Sequence, residues 1–430
     1  MLTSFLGQVR GGAMQMRRLT HSLAPRARAA FEEQLLTTLR RTSDLDTALV
    51  RISSVAVRPS GHVSCSLELL SAACPQRPAI EAAARDIILR SEWATSCDID
   101  AQVLQPRSFM GDKAPASLAH VGALIGISSC KGGVGKSTVA VNLAFALAEL
   151  GGRVGLLDAD VHGPSLPSLV SLPEGTLPIL QRAETKLLSP PLVGGVKLMS
   201  YGFVAKGAST GKVPAAVMRG PMVGKVVSQL LSGTDWGDLD YLLVDLPPGT
   251  GDVQLTLCQS YGLTGALVVT TPQKLARVDV EKGIDMFRQL QVPIVGLVEN
   301  MAYFTDPSGG VHHPFGTTQL ARVAEYAAVT PEDSKRLPIE AAVSEACDEG
   351  TPLVMARSGS ATAAALRDVA ARLTYRVAEL QRPSPAEMRA GEAGSHLRFD
   401  PQRGVVLRVL VGDDEVRSDD PHPHPRLELS

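Results

Sequence analysis

The sequence predicts an α/β protein built on a doubly wound, mostly parallel sheet, preceded by a small α+β domain. Between residues 121 and 378, short apolar runs alternate with segments of helical spacing, which is typical of parallel strands buried on both faces. One of these runs, ALIGISS, is followed at once by a glycine-rich stretch and then by an apolar helical segment. That order of strand, glycine-rich loop and helix is the one that phosphate-binding loops require.

The overall composition is that of a folded protein without a strong electrostatic preference. Hydrophobic residues make up 44% of the 430 residues, and the formal net charge is −2. This charge provides no general basic field for nucleic acid, and no apolar run reaches the roughly 18 residues that suggest a membrane-spanning helix. We therefore expect no nucleic-acid partner and no membrane span. The six cysteines include no CxxC pair, which favours reduced thiols in an intracellular compartment.

The N-terminal segment 1–28 differs in composition from the rest of the chain. The first acidic residue is Glu32, and five arginines precede it together with several serines and threonines. This composition is typical of an organellar transit peptide, and a disordered tail without a targeting role is the alternative. The short, arginine-rich leader favours the mitochondrial matrix as the destination, with the chloroplast stroma as the alternative.

Residues 29–108 are predicted to form the small α+β domain. FEEQLLTTLRRT has helical spacing, LVRISSVAV and HVSCSLELL are predicted strands joined by the turn RPSG, AIEAAARDIILRSEW is a predicted helix, and CDIDAQVLQ is a predicted closing strand. At the other end of the chain, 396–430 is predicted to be a truncated C-terminal domain or a tail. Its segment LRFDPQRGVVLRVLVGDDEV contains a possible hairpin.

The large domain, 121–378, contains six predicted parallel strands: ALIGISS, RVGLLDAD, VKLMSYG, YLLVDLP, GALVVTT and PIVGLVEN. The helix after the first strand is STVAVNLAFALAEL. Its residues Val139, Leu143, Leu147 and Leu150 are predicted to lie along one side, as in an amphipathic helix, and two glycines end it.

The stretch SSCKGGVGKST departs from the usual phosphate-loop pattern at one position. The pattern G-x-x-x-x-G-K-[ST] places its first glycine where this chain has Cys130. The other glycines let backbone amides face phosphates, Lys136 is predicted to reach the β and γ phosphates, and Ser137 is predicted to hold Mg²⁺. A glycine-rich turn without a ligand is the alternative. We predict that ATP is bound through Gly132, Gly133, Val134, Gly135, Lys136, Ser137 and Thr138.

Two later stretches place carboxylates at the ends of predicted strands. LLDADVHGPS carries Asp158 and Asp160, and LLVDLPPGTGD carries Asp245. The carboxyl ends of parallel strands border the crevice in which ligands bind, so we expect these side chains to face it. Asp245 fits the Walker B carboxylate that helps to hold Mg²⁺. Each stretch alone could be an acidic turn, but their order and spacing after KGGVGKST predict a P-loop NTPase.

Six stretches together resemble the Mrp-type ATPases, deviant Walker A proteins that carry iron–sulfur clusters: KGGVGKST, DADVHGPSLPSLV, MRGPMVGKVVSQLL, DYLLVDLPPGTGDVQLTL, TTPQKLARVDVEKG and VENMAYF. The resemblance covers about 121–378. It implies a homodimer in which Lys131 reaches the partner's nucleotide, with Lys136 and Asp160 as further catalytic residues and Asn300 on the adenine. It also implies slow ATP hydrolysis and a [4Fe–4S] cluster received from upstream assembly proteins and passed to apo iron–sulfur proteins.

Two details resemble the plastid high-chlorophyll-fluorescence branch of this family. They are the cysteine within SSCKGGVGKST and the motif AACPQRP around Cys74, which matches the small MIP18-like N-terminal domain of that branch. Most Mrp-type carriers have a CxxC pair shortly after VENM. This chain has FTDPSGGVHHPFG there, without cysteine, and the plastid branch also lacks the pair. The missing pair leaves the cluster ligands open.

The remaining thiols and imidazoles are alternative cluster ligands. Cys74 is predicted to precede a helix, whose N-terminus would lower the pKa of its thiol and favour ligation, and a buried structural cysteine is the alternative. His312 and His313 could replace the lost pair. A lowered pKa is also expected for Cys130, beside two lysines. We interpret Cys130 as a steric substitute for glycine, with redox sensitivity as the alternative. Cys258 is expected to be a core residue.

The sequence therefore predicts an ATP-dependent scaffold or carrier that transfers [4Fe–4S] clusters to apoproteins. The alternative is a nucleotide-dependent adaptor for client proteins that holds no cluster, which the absence of a CxxC pair motivates. A positioning ATPase on a membrane or on DNA is disfavoured, because the acidic segment DDEVRSDD would be repelled by phosphate-bearing surfaces.

Overall fold

The structure is a computed structural model that describes most of the chain between Val50 and Gln381, and two strands beyond it. The predicted leader and the predicted helix FEEQLLTTLRRT lie outside the described residues. The described ranges are 50–57, 62–69, 71–90, 94–103, 108–111, 114–173, 180–181, 187–207, 220–381, 395–400 and 405–410.

The N-terminal unit is a three-stranded sheet with one helix. Its elements are β1 (Val50–Val57), β2 (His62–Leu69), α1 (Arg77–Leu89) and β3 (Ser96–Val103). The central strand, β2, runs antiparallel to β1 and parallel to β3. Every second residue of β2 is buried, and Ile80, Ala84 and Ile88, spaced one helical turn apart on α1, share a core with them. The three predicted strands of this unit and the helix predicted for AIEAAARDIILRSEW are confirmed.

The larger unit alternates strands with helices, as the sequence predicts. Its strands are β4 (Val121–Ser128), β5 (Val154–Asp158), β6 (Leu180–Gln181), β7 (Leu188–Ser189), β8 (Leu192–Val193), β9 (Val196–Ser200), β10 (Leu239–Asp245), β11 (Gly265–Thr270), β12 (Ile294–Thr305), β13 (Val311–His312) and β14 (Ser334–Pro338). Its helices are α2 (Lys136–Glu149), α3 (Leu166–Leu169), α4 (Tyr201–Gly207), α5 (Gly220–Gly233), α6 (Asp252–Tyr261), α7 (Lys274–Gln289), α8 (Leu320–Ala327), α9 (Ala341–Asp348), α10 (Leu353–Ala356) and α11 (Ala361–Leu380). Beyond it, β15 (Ser395–Asp400) and β16 (Val405–Leu410) pair antiparallel.

Nine of the described strands form one sheet, in the order β13-β12-β11-β4-β10-β5-β9-β8 with β14 beside β12. The sheet is parallel except for β8 and β13. Helices cover both faces, and each face has its own hydrophobic core. Successive residues of β10 show the division, since Tyr241 and Leu243 enter the core that contains α2, whereas Leu242 and Val244 enter the opposite core. The doubly wound, mostly parallel sheet is thus confirmed.

The parallel arrangement brings three chain segments together at one edge of the sheet. The central strands β4, β10 and β5 are neighbours, and Asp245 pairs in register with Ile127 on one side and with Asp158 on the other. The loop that follows β4 therefore begins beside Asp245, and Asp158 lies one strand further along the sheet. This edge is the one at which open α/β sheets bind ligands.

Helix α2 is buried on nearly all sides, which corrects the one-sided pattern expected for it. All residues from Val139 to Leu147 are buried, because the sheet lies on one side of α2 while α3, α10 and α11 pack around the others. Small residues such as Ala140 and Ala144 allow this close approach. Although α2 is buried, no helix in the described part of the chain is long and apolar enough to cross a bilayer.

The small unit packs against the C-terminal end of α2. A Cβ at Gly151 would lie 3.2 Å from the carbonyl oxygen of Ala72, and a Cβ at Gly152 would lie 3.0 Å from the Cβ of Ala73. These glycines therefore let the two backbones meet. Since α2 has 14 residues, this contact lies about 20 Å from the glycine-rich loop at the other end of the helix.

Two further contacts hold the small unit in this position. The hydroxyl of Tyr241, at the beginning of β10, donates a hydrogen bond of 3.0 Å to Oγ of Ser71. Tyr375 and Ala378 of α11 are part of the small unit's hydrophobic core. The two units consequently share buried surface at the sheet edge opposite the glycine-rich loop.

We expect Tyr241→Phe to lower the free energy of unfolding by about 1 kcal/mol, because a buried hydrogen bond between the two units is lost. Urea denaturation followed by circular dichroism measures the change. Tyr261→Phe is the matched control, since the Tyr261 hydroxyl donates to the carbonyl of Ser228 at a partly buried position within the larger unit. Equal stability of the parent and Tyr241→Phe would contradict a stabilising role for the contact with Ser71.

Candidate functional site

The loop between β4 and α2 has the geometry of a phosphate cradle. Gly133 and Gly135 have φ angles of 78° and 82°, values that favour glycine. A Cβ on Gly132 or Gly133 would meet no other atom within 4 Å, so the loop faces open space ahead of the helix N-terminus. Accessible backbone N–H groups at a helix N-terminus are suited to binding an anionic phosphate. The predicted order of strand, loop and helix is confirmed.

Lys136 and Asp245 form a buried ion pair at the base of this loop. The Nζ atom of Lys136 donates to Oδ1 of Asp245, and the two side chains are only 7% and 5% exposed. The same Nζ lies 3.3 Å from Oγ of Ser137. Burial raises the pKa of Asp245, and the positive charge of Lys136 opposes that rise. The structure thus brings together the three residues predicted for phosphate and Mg²⁺.

The oxygen atoms at this position fit a magnesium ion. The hydroxyl of Ser137 and the carboxylate of Asp245 are hard donors of the kind that Mg²⁺ prefers. The charge of Asp160 contributes to the raised pKa of Asp245, which places a second carboxylate nearby. Asp160 lies on the partly exposed loop after β5 and accepts a 3.1 Å hydrogen bond from the amide of Gly163. This loop lies at the end of the sheet where ligands bind, and a catalytic role for Asp160 stays a prediction.

Asp158 does not face the crevice, and that expectation is wrong. Its side chain is 1% exposed and accepts hydrogen bonds of 3.1 Å from the amide of Leu166 and from the hydroxyl of Ser200. Burial, followed by the negative charge of Asp245, raises the pKa of Asp158 to about 7. The carboxylate is held by donors from the loop after β5 and from the last residue of β9.

Lys131 lies on the exposed side of the loop. Its Nζ donates to Oε1 of Gln273 at 3.1 Å, within the same chain. Gln273 is a site residue that the spacing argument missed, although it belongs to the quoted stretch TTPQKLARVDVEKG. Reach of Lys131 into a partner's nucleotide stays a prediction.

Asn300 contacts the glycine-rich loop directly. Its side-chain amide donates to the carbonyl of Val134 at 2.9 Å. The register of β12 with β14 shifts between Glu299 and Tyr303, and Met301 within this shift has a positive φ of 55°. The irregularity falls where Asn300 meets the loop. A contact between Asn300 and adenine stays a prediction.

Cys130 points away from the phosphate side of the loop. A Cβ at Gly283 of α7 would lie 2.2 Å from its Sγ atom, so the sulfur fills a notch that only glycine leaves open. Burial raises the pKa of Cys130 to about 11, and the charge of Asp279 adds to the rise. The expected lowered pKa is therefore wrong, because the thiol packs against α7 instead of facing the lysines. This packing supports the interpretation of Cys130 as a steric element.

The thiol of Cys74 lies in the core of the small unit, where Cys74 is 5% exposed. Cys65 and Cys97 belong to the same core, and Cys258 is buried in one of the two large cores, as expected. Because Cys74 follows the segment that meets the end of α2, it lies about 20 Å from the phosphate loop. Its role as a cluster ligand stays a prediction.

Each of the two histidines in the segment that replaces the CxxC pair has a hydrogen-bond partner, His312 inside the segment and His313 just before it. His312 hydrogen-bonds to Asp306 at 2.7 Å, and Nδ1 of His313 lies 3.2 Å from the carbonyl oxygen of Ala302. Within the described ranges, no group of three or more His, Cys, Asp or Glu side chains is arranged to hold a metal ion.

Comparison with known proteins gives three related findings. A family model described as ParA: NUBPL iron-transfer P-loop NTPase matches residues 120–374. The Arabidopsis thaliana protein named "Fe-S cluster assembly factor HCF101, chloroplastic" is 43% identical over 75% of this chain. The "Iron-sulfur cluster carrier protein" of Synechocystis sp. is 36% identical over 80% of this chain and 97% of its own length.

The coverage of these relatives differs. This chain spans 58% and 53% of the lengths of the two chloroplast relatives from Arabidopsis thaliana and Oryza sativa, little more than half of each. Among solved structures, a nucleotide-binding protein of Archaeoglobus fulgidus in complex with ADP is 37% identical. That match covers 55% of this chain and 90% of the solved chain, with a TM-score of 0.47.

We expect Gly283→Ala to destabilise the protein by about 1–3 kcal/mol, because its added Cβ would collide with the sulfur of Cys130. Adding Cys130→Gly to the same chain should restore most of the loss, since the sulfur is then absent. Thermal unfolding of the parent, both single variants and the double variant measures this coupling. If the double variant is no more stable than Gly283→Ala, the notch does not fix the position of Cys130.

Proposed function

This chain belongs to the NUBPL-type iron-transfer P-loop NTPases, a ParA-type family, and from that membership we propose that it is an ATP-dependent carrier of [4Fe–4S] clusters. The observation that best supports ATP binding is the site at the carboxyl ends of the strands. There the phosphate cradle meets the buried pair of Lys136 and Asp245, and the loop of Asp160 lies beside it. The names of the relatives, a cluster assembly factor and a cluster carrier, support iron–sulfur protein assembly as the process.

In this proposal each residue of the site has a separate role in ATP binding or hydrolysis. Lys136 would bind the β and γ phosphates, and Ser137 and Asp245 would hold Mg²⁺, which neutralises phosphate charge when bound. Asp160 would orient and deprotonate the attacking water. Lys131 would leave Gln273 and reach the nucleotide of a second subunit in a homodimer. Asn300, already beside the loop, would meet the adenine.

The cluster is the cargo in this proposal, received from upstream assembly proteins and delivered to apo iron–sulfur proteins. Cys74 is the first candidate for a ligand. Because its thiol is buried where the small unit meets the larger one, loading would require the two units to separate locally. The alternative, an adaptor that docks client proteins without a cluster, is supported by the lack of a CxxC pair in the segment FTDPSGGVHHPFG.

An organelle is the proposed location. The Arabidopsis thaliana and Oryza sativa relatives are named as chloroplastic, which favours the chloroplast stroma. The comparisons lend no support to the mitochondrial preference that the arginine-rich leader suggests. We therefore propose the stroma first and the mitochondrial matrix second.

Two lysine variants test the nucleotide chemistry. Lys136→Ala should abolish ATP binding, because it removes the phosphate ligand and leaves the buried Asp245 unpaired. Lys131→Ala should retain binding within about threefold but lose hydrolysis, because its proposed target lies in the partner's site. A fluorescent ATP analogue measures binding, and phosphate release measures hydrolysis. Lys282→Ala, at an exposed lysine of α7, is the control. Equal hydrolysis by the Lys131 variant and the parent would rule out the two-subunit mechanism.

Anaerobic reconstitution with iron and sulfide tests the cargo. We expect the parent to bind iron with a visible cluster absorption band, and Cys74→Ser to lose most of it because a thiolate ligand is removed. Cys65→Ser, which changes another buried cysteine of the same core, controls for damage to the small unit. Iron retained by Cys74→Ser would remove Cys74 from the ligand set, and no iron in the parent would favour the adaptor.

A further inference from the structure

Asp158 is a buried carboxylate to which the proposed chemistry assigns no role. It ends β5, directly before the loop that carries Asp160, and it is 1% exposed. A carboxylate this deeply buried is costly unless strong hydrogen bonds satisfy it. The position of its donors therefore indicates what the group does.

Two of the donors are backbone amides at opposite ends of one loop. Oδ1 of Asp158 accepts from the amide of Asp160, and Oδ2 accepts from the amide of Leu166, both at 3.1 Å. A single side chain thus fixes the beginning and the end of the segment 160–166. Since Asp160 is the first residue of this segment, its main-chain position depends on Asp158.

The third donor comes from the neighbouring strand. Ser200 is opposite Asp158 in the pairing of β5 with β9, and its hydroxyl donates to Oδ2 of Asp158 at 3.1 Å. Ser200 is 0% exposed, and its Oγ also accepts a hydrogen bond of 3.1 Å from the amide of Gly202 in α4. The hydroxyl therefore joins the loop anchor to the first turn of a helix.

Close packing reinforces this connection. A Cβ at Gly202 would lie 2.7 Å from Cγ of Pro167 and 3.3 Å from Cβ of Pro164. The loop and α4 are consequently in direct contact as well as being joined through Ser200. A shift of one of them must displace the other.

We propose that Asp158 and Ser200 are a pair of positioning residues that hold the loop of Asp160 in its hydrolytic position and couple that loop to α4. The inference rests on the proposed ATP hydrolysis. Neither residue needs to touch the nucleotide, because both act through the main chain of the loop. Their loss should therefore reduce turnover and leave nucleotide affinity nearly unchanged.

The test compares Ser200→Ala with Ser232→Ala, which removes a partly buried hydroxyl that bonds within α5 instead. We expect kcat of Ser200→Ala to fall about tenfold, because small displacements of a catalytic group are costly, while KM for ATP changes less than twofold. Asp158→Asn should lower kcat at least as far, and the double variant should match Asp158→Asn alone. Unchanged kcat for Ser200→Ala, or fully additive losses, would overturn the proposal.

Hydrogen exchange in the nucleotide-free chain provides a readout that is independent of hydrolysis. Amides of Asp160 and Leu166 should exchange faster in Ser200→Ala than in Ser232→Ala, because the anchor of the loop is weakened. Gly202→Ala, which pushes on the prolines from the other side, should have the same effect. If the amides of Asp160 and Leu166 exchange at the parent's rate in both variants, the proposed coupling between the loop 160–166 and α4 is wrong. A parent that hydrolyses no ATP would instead overturn the proposed function, and the exchange data would still decide for or against the link.

Discussion

The ion pair between Lys136 and Asp245 fixes the arrangement of the whole site. Both charges are almost completely removed from water, and a buried charge without its partner is strongly destabilising. Lys136 is the first residue of α2 and Asp245 is the last residue of β10. The pair can form only if β10 lies beside β4 and if the glycine-rich loop turns back at once into the helix. Sheet order, loop conformation and the position of α2 therefore depend on one another through this contact.

The segment that replaces the CxxC pair has become a self-contained turn. Asp306 accepts hydrogen bonds from the hydroxyl and amide of Ser308 and from the amide of Gly310, and its carboxylate also meets His312. These hydrogen bonds lower the pKa of Asp306, and the bond from the Ser308 hydroxyl has the largest effect. The polar groups of the turn are used to stabilise it. The polar side chains that stand where most Mrp-type carriers have two cysteines are thus engaged with one another.

Local pattern was sufficient for most of the fold and for the nucleotide site. The apolar runs specified the parallel strands, and the spacing within KGGVGKST specified the loop, because each of these signals is contained in a few consecutive residues. The directions of individual side chains were not predictable in this way. The sulfur of Cys130 turns towards α7 because Gly283, more than 150 residues later, leaves a notch. Asp158 is held by the hydroxyl of Ser200, on the strand beside it, as well as by two amides of its own loop. Such outcomes depend on which distant elements become neighbours.

The burial of α2 has a mechanical consequence. One end of this helix forms the phosphate cradle, and the other end rests on Ala72 and Ala73 beside Cys74. A close-packed core encloses the helix on nearly all sides. The helix therefore cannot bend or rotate without displacing the side chains around it. A displacement imposed on its first turn would be shared with the core residues packed around α2 and with the small unit that contacts its far end, so that the two ends of the helix are not mechanically independent.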